Sequence, residues 1–347
     1  MDSPATSPRP VFAAYLHQFV TYGLLQAIRL ELFPTLDRLG QASAATLAGA
    51  MGVTPGMLAN LLDLLTVSGL LEKVGARTPP EYRLQPPARA YLGRRDSAWD
   101  LSGFNLLQGE TWDSLMAQGD TVLRSGAPAR RGAPTSRERW AAVVSTIAPL
   151  ALQQAPLLIE RLARAQGPAG PADSPYELLD AGCGVGRLSA QILRALPAVH
   201  STGADFPVVL ELATQELQSA GLRARFTPLA VDLTREVPLG PRGPYAGCIA
   251  AMFCQVLDES QLHSFFHLAG QAMQPGGSIW ILDCLPDDER QAADRWIEIV
   301  FSYMMSFIGG RAYTAGDYRR LLEATGWAEV EIIRTDGVVS VVQAHRI

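Results

Sequence analysis

Between residues 178 and 186 the chain reads LLDAGCGVG, an apolar run that stops at Asp180 and gives way to Gly182, Gly184 and Gly186. The apolar run has the composition of a buried strand. Glycines at alternate positions let the backbone turn sharply and approach a ligand with no Cβ in between. The pattern then repeats. Strand-like runs YELLDAG, STGADF, ARFTPLAVD, AGCIAAMF and GSIWILDC alternate with helical stretches over 186–196, 207–220, 259–273 and 315–325. A terminal strand pair lies near EVEIIRT and VSVVQAH. Such βα alternation predicts an open, mostly parallel sheet that binds its ligand at the carboxyl ends of the strands.

Those strand ends carry the candidate chemistry. Gly-x-Gly-x-Gly with an acid just ahead of it departs from the G-x-G-x-x-G of dinucleotide enzymes. An acid beside the loop repels a pyrophosphate and attracts a cation. S-adenosylmethionine (SAM), which carries a sulfonium and an ammonium group and no phosphate, suits such a loop. Asp205, in TGADFP, ends the next strand, where a carboxylate can accept hydrogen bonds from both ribose hydroxyls. Asp232, in LAVDLTREVP, ends the third, within reach of an adenine amino group. Each acid alone is equally well an ordinary strand-end residue. Three at consecutive strand ends behind a glycine loop make a nucleoside site the better reading.

The N-terminal half has a different rhythm. Residues 11–33, VFAAYLHQFVTYGLLQAIRLELF, are apolar at helical spacing and nearly free of charge. A surface helix carries a polar face, so this one is expected to be buried all round, and a dimer interface is the simplest way to bury it. Helices are predicted over 43–50 and 55–68, with a turn at Gly52, Thr54 as N-cap and an end at Gly69. LLEKVG and EYRLQ can pair as a hairpin, which completes a winged-helix pattern. In DNA-binding proteins the second helix of such a unit enters the major groove. Here MLANLLDLLTVSGLL offers no Arg or Lys to phosphates, and a structural, dimer-forming role is expected instead.

Residues 97–165 read as helical around a loop rich in Gly, Pro and Arg at 125–137. Trp99, Phe104, Trp112, Met116 and Trp140 are candidates to line an acceptor pocket there, with helical core the simpler role for each. GPAGPADSP at 167–175 reads as a second linker. The expected domains are therefore 1–96, 97–170 and 171–347.

With 29 basic and 34 acidic side chains the net charge is −5, and no basic run suggests a nucleic-acid partner. Cys183, Cys248, Cys254 and Cys284 form no C-x-x-C pair, so reduced thiols are expected rather than a disulfide framework or a zinc site. MDSPATSPRP lacks the apolar core of a signal peptide, and no uninterrupted apolar stretch reaches about 18 residues. A cytoplasmic protein with no membrane partner is the expectation.

Taken together, the leading helix, the LLEKV wing, LLDAGCGVG, ADFPVVLELA, VDLTREVP, QPGGSIWILDCLPD and GGRAYTAGDYRRLLEATGW resemble the O-methyltransferase family. In that family a mainly α N-terminal winged-helix dimerisation domain precedes an α/β Rossmann-like class I methyltransferase domain. The resemblance implies a homodimer that methylates a small molecule with SAM, in the manner of relatives acting on phenolics, hydroxyindoles and polyketides in secondary metabolism. It also implies that Asp180, Gly182 and Gly184 hold the amino-acid end of SAM and that Asp205 binds the ribose. Asp232 and Leu233 would frame the adenine, with Phe206 and Met252 as further cofactor contacts.

The departures from the family fall on catalysis. Members that methylate oxygen carry a histidine base in an L-H-D-W or similar segment after the fourth strand. Here the segment is AAMFCQVLDESQ; Gln255 falls at the histidine position, and a shift of one residue brings Val256 there. A family glutamate is replaced by Ala312, while its partner acid remains as Asp283. Gln255 and Asp283 are thus the catalytic candidates, with no histidine base. His263 and His267 lie four residues apart on one helix face, but no third ligand accompanies them, and no metal is expected. The acceptor pocket is expected between the domains, closed by the 97–165 helices and by FSYMMSFIGG at 301–310. Phe104, Trp112, Met304 and Met305 would line it. Two alternatives are a SAM-binding relative with other chemistry, of pericyclase or hydroxylase type, and a winged-helix regulator that responds to a ligand.

Overall fold

The computed structural model describes residues 9–75, 79–127, 137–166, 175–235, 238–239, 244–307 and 309–347. The chain divides into two compact units, Met1–Leu107 and Gln108–Ile347. The first contains helices α1 (Arg9–Arg29), α2 (Leu32–Leu39), α3 (Ala44–Met51), α4 (Pro55–Val67) and α5 (Pro86–Leu92). Strands β1 (Ala42–Ser43), β2 (Leu71–Val74) and β3 (Glu81–Leu84) form an antiparallel sheet in the order β1-β3-β2. This is a winged helix. Gly52, at φ 68°, turns α3 into α4. The Ser43 hydroxyl accepts the Thr46 N–H at 3.2 Å to cap α3. Thr54 holds the N-cap position of α4 without a side-chain bond, ahead of Pro55. Leu32, Phe33, Leu36, Leu47, Leu62 and Leu65 close the core.

One expectation about the leading helix needs correction. The pattern over 11–33 is two helices, because Glu31 adopts a left-handed φ of 55° and breaks the run. Within its own chain α1 is mostly uncovered, as a helix buried by a dimer partner would be. Only its C-terminal part packs: Ala27 is fully buried, and a Cβ on Gly23 would come 2.7 Å from Leu64 of α4. Val11, Phe12, Tyr15, Leu16, Phe19 and Tyr22 are exposed, Tyr15 to 69%.

Helix α6 (Phe104–Ser125) spans the division between the units, and α7 (Arg137–Leu152) and α8 (Ala155–Ala165) follow. Then come β4 (Tyr176–Ala181), α9 (Arg187–Ala195), β5 (Val199–Asp205), α10 (Pro207–Ser219), β6 (Phe226–Ala230) and β7 (Tyr245–Ala251). The chain continues through α11 (Glu259–Ala272), β8 (Met273–Asp283), α12 (Trp296–Ser306), α13 (Ala315–Ala324), β9 (Trp327–Ile333) and β10 (Ser340–Arg346). The sheet runs β6-β5-β4-β7-β8-β10-β9, parallel from β6 to β8, with β10 antiparallel to both neighbours. This is the Rossmann-like α/β layer. Strand order reverses between β4 and β7, and the crevice at that switch, at the carboxyl edge, is where such sheets take ligands.

Each strand and helix expected from the βα alternation is present. Helix α12 was not foreseen as an element of its own: it turns Glu298 and Met305 inward and exposes Trp296, Val300 and Tyr303. Met116 is 72% exposed, so it is not helical core. The linkers at 128–136 and 167–174, and the side chains of Trp112 and Trp140, lie outside the described residues. No single described helix is long and apolar enough to cross a membrane.

The exposed apolar face of α1 predicts self-association, since large exposed apolar patches are rare on monomers and stable apolar interfaces bury more than about 2,000 Å². Light scattering at micromolar concentration should give a dimer mass, and charge reversal by Phe12→Glu with Phe19→Glu should give the monomer. A monomer mass for the unaltered chain contradicts the interface.

Candidate active site

The loop between β4 and α9 is built on three left-handed glycines, Gly182 at φ 70°, Gly184 at 54° and Gly186 at 74°. Side chains other than glycine rarely adopt this region. At two of the three, packing adds a second requirement. A Cβ on Gly182 would lie 2.9 Å from the Phe253 ring, and one on Gly186 would lie 2.6 Å from Leu217. Gly184 differs: the nearest atom its Cβ would meet is Val144 at 3.6 Å. At the middle of the loop, then, the positive φ and not a lack of space is what calls for glycine.

Asp205 fixes that backbone. Its Oδ2 accepts the Gly184 N–H at 3.0 Å, and its Oδ1 accepts the Phe206 N–H at 2.8 Å. Burial pushes the Asp205 carboxyl up to about 6, against the pull of those two amides. Each oxygen keeps a lone pair free for a hydroxyl donor.

Asp180 is placed otherwise than the sequence suggested. It is 1% exposed, and its Oδ2 accepts the Ser189 hydroxyl at 2.6 Å, with Ser189 and Ser201 2.8 Å apart. The carboxylate therefore sits under the loop, tied to α9 and β5, and a direct contact with a ligand's amino-acid end does not follow from its position. Its influence is through charge. Burial, together with the nearby Asp205, raises its carboxyl to about 6.

Asp232 closes a tight turn on itself. Oδ1 accepts both the N–H and the hydroxyl of Thr234, at 3.0 and 2.6 Å, and Oδ2 lies 3.0 Å from Arg235 Nε. Leu233 beside it is buried. Across the switch, the Met252 N–H donates to the Leu282 carbonyl at 2.8 Å, extending the pairing of β7 with β8 by one residue. Met252 then takes a φ of 54°, unusual for a side chain of its size. Strain of this kind costs about 1–3 kcal/mol and clusters at functional sites.

The turn after β7, Cys254–Val256, carries the catalytic candidate. Gln255 is 3% exposed and its Nε2 donates to the Met252 carbonyl at 3.3 Å. The Gln255 Oε1 atom has no hydrogen-bond partner. Asp283, at the end of β8, is fully buried; it accepts the Tyr318 hydroxyl at 2.6 Å and the Cys284 N–H at 2.9 Å. The backbone N–H of Gln255 is a third donor, and burial raises the Asp283 carboxyl to about 7 in spite of all three. Enclosed in this way, Asp283 anchors the turn and is not open to an acceptor as a proton-transfer group. Ser189, Phe253 and Tyr318 were not among the residues expected to form the site, although Phe253 lies in AAMFCQVLDESQ and Tyr318 in GGRAYTAGDYRRLLEATGW.

Met304 is half-buried and Met305 buried on α12, Phe104 begins α6 half-buried, and the Trp112 side chain is outside the described residues. His263 and His267 are exposed on α11, and His267 meets only Gln271 at 3.0 Å. Among the described residues no group of His, Cys, Asp or Glu is arranged to hold a metal ion.

A glycine loop pinned by a strand-end acid at the switch of a β6-β5-β4-β7-β8-β10-β9 sheet defines the class I methyltransferase fold. The comparisons agree. Residues 174–328 match the profile of the O-methyltransferase domain, and residues 15–94 match that of the O-methyltransferase dimerisation domain. The chain belongs to this O-methyltransferase family.

It is 23% identical over 339 residues to a human probable bifunctional dTTP/UTP pyrophosphatase/methyltransferase protein, covering 94% of this chain and 52% of that one. It is 26% identical over 298 residues to the aclacinomycin 10-hydroxylase of Streptomyces purpurascens, covering 83% and 76%. The fold superposes on human N-acetylserotonin methyltransferase in complex with SAM with a TM-score of 0.76 at 17% identity, covering 100% and 99% of the two chains. The chain spans about half the length of several curated relatives that it matches.

The glycine loop and the Asp205 lone pairs fit the amino-acid and nucleoside ends of SAM. A hydrogen bond to a charged group contributes about 1.5–3 kcal/mol, so Asp205→Ala should weaken SAM binding at least about tenfold without unfolding the protein. Because the Asp205 carboxyl titrates near 6, affinity should hold above that pH and fall below it, where the protonated acid loses acceptor capacity. Calorimetry that finds the folded variant binding as tightly as the parent would remove Asp205 from the site.

Proposed function

We propose that the chain is a SAM-dependent methyltransferase acting, as a homodimer, on a small aromatic or enolisable acceptor in secondary metabolism. The observation that carries this reading is the glycine loop pinned at Gly184 by Asp205 beside the strand-order switch. Residues 1–96 would form the dimerisation domain, 97–170 the helices on the acceptor side and 171–347 the SAM-binding domain. Four buried free cysteines suit a reducing compartment such as the cytoplasm.

SAM, when bound, supplies a methyl group activated by a positively charged sulfur. What remains for the protein is positioning, which alone supplies large rate factors when reacting atoms are held in line. Asp205 would accept the ribose hydroxyls, and the charge of Asp180 beneath the loop would favour a cation above it. Met252, Leu233 and Asp232 would frame the adenine, and Met304 and Met305 would face the acceptor.

Gln255, an amide at the family's histidine position, takes no proton. A general base typically contributes about 10²–10⁴-fold, so a neutral alcohol should react poorly here. An acidic phenol, an enolisable carbon or an electron-rich ring needs no such help. The same residue favours a second reading, a SAM-binding protein with other chemistry, and one relative bears the name of a hydroxylase.

The deciding experiment is incubation with methyl-labelled SAM and candidate metabolites, with the label located by mass spectrometry. Transfer to an acceptor supports the first reading; consumption of acceptor without label supports the second. At saturating acceptor, kcat should show no limb near the ordinary histidine value of about 6.5. His263→Ala and His267→Ala should each keep kcat within a few-fold. A hundredfold loss in either, with folding and SAM binding intact, would place the base on α11.

A further inference from the structure

The turn after β7 is held from outside by the segment that leads into α13. The Gln255 carbonyl accepts the Arg311 N–H at 2.9 Å, and the Leu257 carbonyl accepts the Tyr313 hydroxyl at 2.8 Å. Gly310 lies so close that a Cβ there would come 2.1 Å from the Gln255 oxygen. From within, Asp283 takes the Gln255 N–H, and Tyr318 on α13 donates its hydroxyl to Asp283 at 2.6 Å. The position of α13 is itself fixed. Thr314 and Asp317 form a reciprocal cap at its first turn, and Arg311 bridges Asp317 at 2.8 Å.

We propose that Tyr318 is a positioning residue for methyl transfer: acting through Asp283 and Cys254, it sets the turn Cys254–Leu257 and thereby the acceptor side of the site. This rests on the methyltransferase reading above. Tyr318 is fully buried, and its hydroxyl meets the Asp283 carboxylate and the Cys254 thiol, so it acts on the turn through both. A phenylalanine there would fill the same space and lose those connections.

The pair also gives the turn a pH dependence. The titratable groups that face Asp283 are Tyr318 on α13, Cys254 in the turn and Cys284 after β8, and burial raises all three so that they are neutral at ordinary pH. Glu298 acts on Cys284 from α12, and Tyr313 acts on Tyr318 from the preceding segment. Ionised, Asp283 accepts from three donors. As pH falls through about 7 it takes up a proton, becomes a donor itself, and can no longer anchor all three. The acceptor KM should therefore be flat above about pH 8 and rise below 7, while kcat at saturation stays level. Tyr318→Phe removes a donor that favours the ionised form, so the same rise should move about one pH unit upward.

Two measurements on the full chain test this. The first, which needs no activity, is hydrogen–deuterium exchange of the peptide spanning residues 252–258, compared with that of β4 and β5. In Tyr318→Phe its exchange should quicken about tenfold or more, with the β4 and β5 peptides unchanged. Asp283→Asn should make the protection of that peptide, its exchange relative to the intrinsic rate at each pH, constant between pH 6 and 8, and it serves if the tyrosine variant folds poorly. The second is the acceptor KM against pH at saturating SAM. A Tyr318→Phe protein that melts lower but keeps the parent's KM midpoint and local exchange would make Tyr318 merely structural and overturn the proposal. Absence of SAM binding by the parent in calorimetry would overturn the reading beneath it, whatever the exchange shows.

Discussion

Asp205 accepting the Gly184 N–H organises the carboxyl edge of the sheet, because it joins two elements that chain geometry would leave independent. The first is a loop of three left-handed glycines, which has little conformational preference of its own. The second is the end of β5, rigid through its pairing with β4 and β6. The 3.0 Å bond passes the rigidity of the strand to the loop. The Phe206 N–H on the other oxygen then sets where α10 begins. Phe253 over Gly182 and Leu217 against Gly186 hold the loop from either end, and the Gly182 N–H ties its start to the Ala204 carbonyl at 2.8 Å. The carboxylate adds the restraint at the middle glycine, before a ligand arrives.

The same edge concentrates buried acids. Asp180, Asp205 and Asp283 stand at the ends of β4, β5 and β8, and burial raises them to about 6, 6 and 7. A carboxylate removed from water is stabilised by hydrogen bonds or by a cation. Ser189, the loop amides and Tyr318 supply the first. A sulfonium ligand would supply the second, and it would find the carboxyls near the loop biased toward ionisation in turn. On the proposed reading the acceptor meets the other side of the switch, where the turn after β7 is held by Asp283 and by Arg311 and Tyr313. The two halves of the site thus rest on different carboxylates, Asp205 for the loop and Asp283 for the turn.

The sheet and its glycine loop were legible in the sequence because both depend on local signals. A period of two in the strands, helical spacing between them and glycine where φ is positive survive any tertiary context. Asp205 was legible for the same reason, as an acid at a strand end. Asp180 was read as a ligand contact and lies instead beneath the loop, since which face a strand-end side chain takes depends on the donor awaiting it. That donor, Ser189, belongs to the following helix and carries no signal of its own. The break at Glu31 was missed although Pro34, three residues on, marks it, since proline fits the first turn of a helix and not its interior. Helix α12 was hidden because its apolar residues are spread over an exposed face as well as an inner one. Tyr318 could be quoted from a motif but not assigned a task, because its partner lies on a strand far away in sequence.

The central claim is that this edge is shaped for an adenosyl cation donor and against a pyrophosphate. Calorimetric titration of the unaltered protein with SAM and, in parallel, with NAD separates the two. Both present an adenosine, so the comparison isolates what the loop and its acids select beyond the nucleoside. Saturable, stoichiometric binding of SAM and none of NAD at the same concentrations is the expected result. Binding of NAD with equal or greater affinity than SAM would overturn it.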